Sequence, residues 1–176
     1  GATLRSASGS TVGIVTVHVG LAVAQPPLGA VLDKNDGSWT KLDAAACAIQ
    51  NAQALRLSDR AEIVCGNWVE GVDGRFDIIF SKPPYIPSDE IQRLAPEVAL
   101  YEPVRSLDGG ADGLDAYREI SELLREFLLP SGRVVFEIGP QQGDAVTAIF
   151  CAAGFVGIKN CKDLAGRDRA LIFSKA

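Results

Sequence analysis

An α/β domain on a doubly wound, mostly parallel sheet is the fold class this sequence predicts, on three observations. Short apolar runs bounded by turn residues alternate with amphipathic or Ala-rich stretches, the pattern of strands alternating with helices. The 176 residues are 47% hydrophobic and 22% charged, enough to bury a core and too apolar for disorder. No repeat, low-complexity tract or second compositional zone is visible, so a single domain over residues 1–176 is expected.

The elements follow in order. Between Arg5 and Asp33 the chain carries no Asp, Glu, Lys or Arg, and Val12 to Ala24 is an apolar run. A membrane span needs about 20 such residues, and Gln25-Pro26-Pro27 stops this one short. Three readings stay open for the run. It is a signal sequence with Arg5 as its positive flank, Val12 to Leu21 as its apolar core and Ala22-Val-Ala24 as its cleavage site, or a buried helix, or a strand. His18, inside the run, reads as a core histidine rather than a base. Leu28 to Leu32 is a short buried strand ending at Asp33. Thr40 to Leu55, Ala-rich and free of Gly and Pro, is a helix whose apolar residues recur at three- and four-residue steps. Ala61 to Cys65 and Phe76 to Phe80 are strands. Leu114 to Leu129 is an amphipathic helix stopped by a turn at Pro130-Ser-Gly132. Arg133 to Ile138 is a strand, Gly143 to Ala153 a helix, and Phe155 to Ile158 and Ala170 to Phe173 are the closing strands.

Composition excludes several functions. Seventeen Lys and Arg against 22 Asp and Glu leave a net charge of −5, whereas a domain that wraps a phosphate backbone is usually basic. Cys47, Cys65, Cys151 and Cys161 make no C-x-x-C pair, and His18 is the single histidine, so no zinc-type ligand set assembles. Reduced thiols in a cytoplasmic protein are the expectation. The chain contains no Met and opens Gly1-Ala2-Thr3, which reads as a processed product or an excised piece.

In open α/β sheets ligands bind beyond the carboxyl ends of the strands, which directs the search to the loops after Asp33 and Phe80. After Phe80 comes Ser81-Lys-Pro-Pro-Tyr-Ile-Pro87. Pro83 and Pro84 fix φ and remove two donors, leaving rigid carbonyls, and Tyr85 offers a flat face to a planar group. The bland reading is a Pro-rich turn with a packed Tyr. Further on lies Glu102-Pro-Val-Arg-Ser-Leu-Asp-Gly-Gly-Ala-Asp-Gly-Leu-Asp-Ala-Tyr117, whose glycines allow close approach or positive φ. Asp112 could cap the following helix.

These two segments, with Pro96-Glu-Val, Phe136-Glu-Ile-Gly139, Gln142 and Asp163-Leu-Ala-Gly-Arg-Asp-Arg169, closely resemble the HemK/PrmC family. Its members methylate the glutamine of peptide chain release factors, and the resemblance covers residues 28 to 176. The Pro-Pro-Tyr motif is shared with adenine amino-methyltransferases, while Asp108-Gly-Gly-Ala-Asp-Gly-Leu114 is more specific to the glutamine branch. The resemblance implies a Rossmann-like class I methyltransferase sheet with its last strand antiparallel, S-adenosylmethionine as cofactor, a release factor as partner, and no metal or membrane. It also implies a helical substrate-recognition domain ahead of the catalytic one. Here residue 1 lies almost on the glycine motif, so that domain is expected to be absent.

The resemblance assigns catalytic positions to Lys82, Pro83, Pro84 and Tyr85. In the family motif Asn-Pro-Pro-Tyr, the Asn oxygen and the first proline carbonyl accept from the substrate amide and orient its nitrogen toward the methyl donor. This chain has Lys82 where the family has Asn, and a protonated Lys offers three donors and no acceptor. Cofactor positions fall on Arg5, Ser6, Ser8, Gly9, Asp33, Asn67, Trp68 and Ser81. Thr3 to Gly9 matches the family's Asp-x-Gly-x-Gly-Ser-Gly only at Ser8-Gly9, with Arg5 and Ala7 in place of glycines. Added Cβ atoms weaken a close backbone approach, although Arg5 could pair with the cofactor carboxylate. Asp33, with Asp36 as rival, matches the acid on the ribose hydroxyls. Gly66-Asn67-Trp68 stands where the family has Gly-Asp-Trp near the adenine. Two other functions remain: an inactive relative serving as a binding module, and an adenine-type nucleic-acid methyltransferase.

Overall fold

A computed structural model describes residues 2–4, 14–16, 41–59, 61–64, 68–69, 72–99 and 102–176. Their elements, in chain order, are β1 (Ala2–Leu4), β2 (Ile14–Thr16), α1 (Lys41–Ala54), β3 (Ala61–Ile63), β4 (Phe76–Ser81), α2 (Pro96–Ala99), α3 (Val104–Leu107), α4 (Asp115–Phe127), β5 (Leu128–Glu137), α5 (Gly143–Ala152), β6 (Phe155–Lys162) and β7 (Asp168–Lys175), with a 3₁₀ turn at Ile91–Arg93. The strands expected from Ala61, Phe76, Arg133, Phe155 and Ala170, and the helices expected over Thr40–Leu55, Leu114–Leu129 and Gly143–Ala153, all appear within a few residues of those bounds. In the apolar run, Ile14–Thr16 is a strand, and the rest of the run lies outside the described residues. So does the strand expected over Leu28–Leu32.

Five strands form one sheet in the order β2-β4-β5-β7-β6. β2 and β4 pair in parallel, as do β4 and β5. β7 runs antiparallel to both of its neighbours, β5 and β6. The sheet is thus mostly parallel at one side with the last strand inserted antiparallel. As a consequence β2, β4 and β5 end on one edge, at Thr16, Ser81 and Glu137, and β7 begins there, with Ala170 opposite Glu137. β1 and β3 pair with each other in a separate two-stranded sheet.

The Pro130-Ser-Gly132 turn corrects one expectation. It does not separate α4 from the next strand, because β5 already begins at Leu128. The pairing with β4 instead jumps from Phe76–Leu128 to Ile78–Arg133, so the turn residues sit in an irregularity of the ladder. Proline lacks the N–H a regular ladder needs, and a bulge is where a strand tolerates it.

The core lies between the sheet and helices α4 and α5. Along β5, Val134 and Phe136 are fully buried while Arg133 is exposed, and Ile138 just beyond the strand is also buried, the period-two alternation of a strand with one face inward. On α4 the buried side chains are Ala116, Tyr117, Ile120, Ser121 and Leu124, one stripe of the helix. Phe136 meets Phe150 of α5 with ring centroids 4.6 Å apart, and Phe150 stacks on Phe173 of β7 at 4.8 Å. These rings couple helix, central strand and last strand into one unit.

Candidate active site

The chain leaves the sheet at Ser81, the buried end of β4, and continues as Lys82-Pro-Pro-Tyr-Ile-Pro87. Pro83 and Pro84 are buried, Tyr85 is half-buried and Lys82 is exposed. The loop is strapped along its length to the glycine-rich segment. Ile86 N–H donates to the Leu107 carbonyl at 3.0 Å, Gly109 N–H to the Ile86 carbonyl at 2.9 Å, and Ser88 N–H to the Gly110 carbonyl at 3.0 Å. Asp108 adds a side-chain tie: its Oδ1 accepts from the Ser88 hydroxyl at 2.6 Å and from Gly110 N–H at 2.9 Å. Those two donors, Ser88 first, hold the Asp108 carboxyl below the usual carboxylate range.

Gln142 joins a third segment. Its Nε2 donates to the carbonyls of Tyr85 at 2.9 Å and Gly113 at 3.1 Å, while its Oε1 accepts from Gly139 N–H at 2.9 Å. One amide therefore fixes the Pro-Pro-Tyr loop, the glycine-rich loop and the turn after β5. Gly113 has a φ of +74°, and a Cβ there would run into the Tyr85 carbonyl oxygen and lie 2.7 Å from Gln142 Nε2. Only glycine meets both demands. Asp112 does not act as the N-cap of α4; Leu114 holds that position. Asp112 Oδ1 accepts instead from Leu114 N–H at 3.1 Å and from Arg118 Nη1 at 3.0 Å.

Tyr85 is held from the sheet side. Its hydroxyl donates to Glu137 Oε1 at 3.3 Å, and Arg169 Nη2 pairs with the same oxygen at 2.9 Å. Glu137 itself is fixed by its carbonyl, which accepts from the buried Tyr117 hydroxyl at 2.8 Å. Burial, and next the Glu137 carboxylate, push the Tyr85 phenol above its ordinary value, with Arg169 opposing. Lys82 Nζ lies 5.6 Å from the Tyr85 ring centroid, within cation–π reach. Beside them is a cleft of about 280 Å³, lined by Lys82, Glu137 and Arg169 together with Phe80, Ser81, Val135 and Ala170. It opens at the edge where β4 and β5 end, as the position of ligand sites in such sheets leads one to expect.

The structure thus brings together Ser81, Lys82, Pro83, Pro84 and Tyr85. Trp68 is buried within the core cluster, 8% exposed, with a φ of +46°. Arg5, Ser6, Ser8, Gly9, Asp33, Asp36 and Asn67 lie outside the described residues. Residue reasoning assigned no role to Glu137, Arg169 or Tyr117. The only signal for the first two was their place in the motifs Phe136-Glu-Ile-Gly139 and Asp163–Arg169, since their contact to Tyr85 crosses 52 and 84 residues of chain. Among the described residues no helix is long and apolar enough to cross a membrane, and no group of His, Cys, Asp and Glu could hold a metal ion.

No protein-family model matches the chain. Curated relatives do. The chain is 46% identical to a release factor glutamine methyltransferase of Cereibacter sphaeroides over 135 residues, covering 76% of this chain and 49% of the relative. It is 44% identical to that of Caulobacter vibrioides, covering 74% of this chain and 45% of the relative. For Rhodospirillum rubrum the values are 38% identity, 89% of this chain and 54% of the relative. The chain therefore spans about half the length of the curated relatives it matches. Among solved structures, a methyltransferase from Pyrococcus furiosus matches with a TM-score of 0.53 and 21% identity over 75% of this chain and 57% of that one. A ribosomal protein L11 methylase from Lactobacillus delbrueckii subsp. bulgaricus matches with a TM-score of 0.52 and 17% identity over 76% of this chain and 53% of that one. These two likenesses carry the fold, a class I methyltransferase sheet. Over the half of the curated relatives that it spans, the chain is similar to release factor glutamine methyltransferases, the family that its Pro-Pro-Tyr and glycine-rich motifs resemble.

Proposed function

We propose that residues 1–176 form a single methyl-transfer domain. It moves a methyl group from S-adenosylmethionine to the side-chain amide nitrogen of a glutamine in a peptide chain release factor. One observation carries the reading: the Pro-Pro-Tyr loop is strapped to the Asp-Gly-Gly-Ala-Asp-Gly-Leu loop by backbone bonds and by Gln142, beside a cleft at the strand ends. An amide nitrogen is a weak nucleophile because its lone pair is delocalised, so a site for it must work by positioning. A rigid Pro83 carbonyl accepts an amide N–H, and the Tyr85 face packs against the planar amide.

The strand order suits the cofactor. β2 and β4 are parallel neighbours without being consecutive, and in open α/β sheets ligands bind beyond the carboxyl ends of such strands. Of the positions assigned to it by their match to the family, Ser81, at the end of β4, and Trp68, buried in the core cluster, are the described ones; Arg5, Ser6, Ser8, Gly9, Asp33 and Asn67 are the others. When bound, S-adenosylmethionine supplies an electrophilic methyl on a sulfonium. A cytoplasmic setting belongs to the same proposal and is supported by the free thiols of Cys47, Cys151 and Cys161.

Calorimetric titration with S-adenosylmethionine, followed by transfer of labelled methyl to a release-factor domain, tests the reading. Saturable binding and label on the glutamine are expected. An absence of saturation at millimolar cofactor would overturn it in favour of a methyltransferase-fold binding module.

A further inference from the structure

We propose that Glu137, paired with Arg169, is the positioning residue that sets the Tyr85 ring beside the cleft the pair lines. The inference rests on the reading above, in which Tyr85 packs against the substrate amide. It goes beyond it by giving a task to two residues, Glu137 of β5 and Arg169 of β7, that lie outside both loops.

The loop straps fix the Tyr85 backbone, because Gln142 holds its carbonyl and Ile86 is bridged to Asp108. They leave the side-chain torsions free, and a half-buried ring on a fixed backbone still has more than one staggered position. The hydroxyl at the far end of the ring selects one. It donates to Glu137 Oε1 at 3.3 Å, and Arg169 Nη1 reaches the same hydroxyl at 3.5 Å. The carboxylate is in turn oriented by Arg169 Nη2 at 2.9 Å. Its backbone is anchored by Tyr117, whose hydroxyl bonds the Glu137 carbonyl from the buried face of α4. β5 and β7 therefore converge on one phenol that belongs to neither, and α4 anchors the β5 backbone behind them.

The charge arrangement is specific. An unpaired carboxylate at the mouth of the cleft would attract Lys82, which stands over the other part of the same ring. The Arg169 guanidinium satisfies Glu137 instead, with a planar donor that lysine would not reproduce. Both Glu137 and Arg169 also line the cleft, so the pair that aims the ring forms part of the wall beside it. The charged and titratable groups facing the phenol are thus Glu137 from β5, Arg169 from β7, Lys82 from the loop and Tyr117 from α4.

Ultraviolet difference titration of tyrosinate, with Tyr85→Phe as the blank, reads the Tyr85 phenol directly and needs no activity. Glu137→Gln removes the negative neighbour and is expected to lower the Tyr85 midpoint. Arg169→Gln removes the positive one and is expected to raise it further. Local unfolding would instead release the ring to water and move both variants downward, so opposite signs separate the clamp from a merely structural role. Midpoints that stay put, or that move in the same direction, overturn the proposal. In methyl transfer, Glu137→Gln is expected to lower kcat about tenfold with cofactor affinity unchanged; an unaltered kcat beside a shifted midpoint overturns the positioning role. If the wild type transfers no methyl while the two midpoints still move apart, the activity reading fails and the clamp stands.

Discussion

Lys82 is the residue at which chemistry and family pattern part. Its side chain is exposed and hangs over Tyr85, so it offers donors at the position where the resembled motif has an Asn acceptor. Replacing it supplies the missing oxygen: Lys82→Asn is expected to raise glutamine methylation of a release-factor domain about tenfold, as measured by label transfer. No gain with intact cofactor binding would locate the defect elsewhere. Gln142 is the opposite case, a side chain whose amide makes three bonds to three segments. Gln142→Glu turns a donor to two carbonyls into an acceptor. A loss of about 1–3 kcal/mol is expected from the groups left unpaired, read as a lowered urea midpoint, with methyl transfer falling alongside. Asp108 gives a pH signature. Its carboxyl is held below its ordinary range by Ser88 and Gly110, so its contribution is present above the unfolded value and lost as pH falls through the folded one. The stability gap between wild type and Asp108→Asn should therefore be largest near neutral pH and close on acidification, in urea titrations run at both ends.

The loops decide more than the strands at the level of elements. β4 delivers Ser81 to the sheet edge, but the path of the next six residues follows the glycine-rich segment that returns alongside them. That return is possible because Gly110 and Gly113 take φ values of +88° and +74°, and because nothing larger fits between the Tyr85 carbonyl and Gln142. Gly113→Ala is expected to cost about 1–3 kcal/mol from the left-handed backbone, plus the displacement of the Tyr85 carbonyl. A thermal melt should show the first effect. A drop in methyl transfer larger than the stability loss explains should show the second. The fourth helix was legible from its spacing, since Tyr117, Ile120 and Leu124 recur on one face. The Pro130–Gly132 irregularity was not. A turn signal and a bulge use the same residues, and only the pairing partner distinguishes them.

For the whole molecule, one aromatic cluster ties α5, β5 and β7 together and so holds Glu137 and Arg169 at the distance the site requires. Phe150, fully buried between Phe136 and Phe173, is its hub. Phe150→Ala is expected to destabilise by about 3–5 kcal/mol, measured by urea unfolding. Before it unfolds, the domain should also lose part of the upward displacement of the Tyr85 phenol, because β7 carries Arg169 and β5 carries Glu137 into register at Ala170 and Glu137.

The sequence by itself determined the alternation of strands and helices, the sheet edge to search, and the identity of the loop at that edge, because periodicity and turn chemistry are local properties of the chain. It also marked Gln142 and Arg169 as members of motifs, without showing what they touch. Only the tertiary structure decided that β7 enters between β5 and β6, that Gln142 reaches back across 57 residues to the Tyr85 carbonyl, and that Glu137 and Arg169 meet on a single phenol. Those are pairings between segments far apart in the chain. They are selected by packing and hydrogen-bond satisfaction in the folded core, which no local pattern of residues encodes.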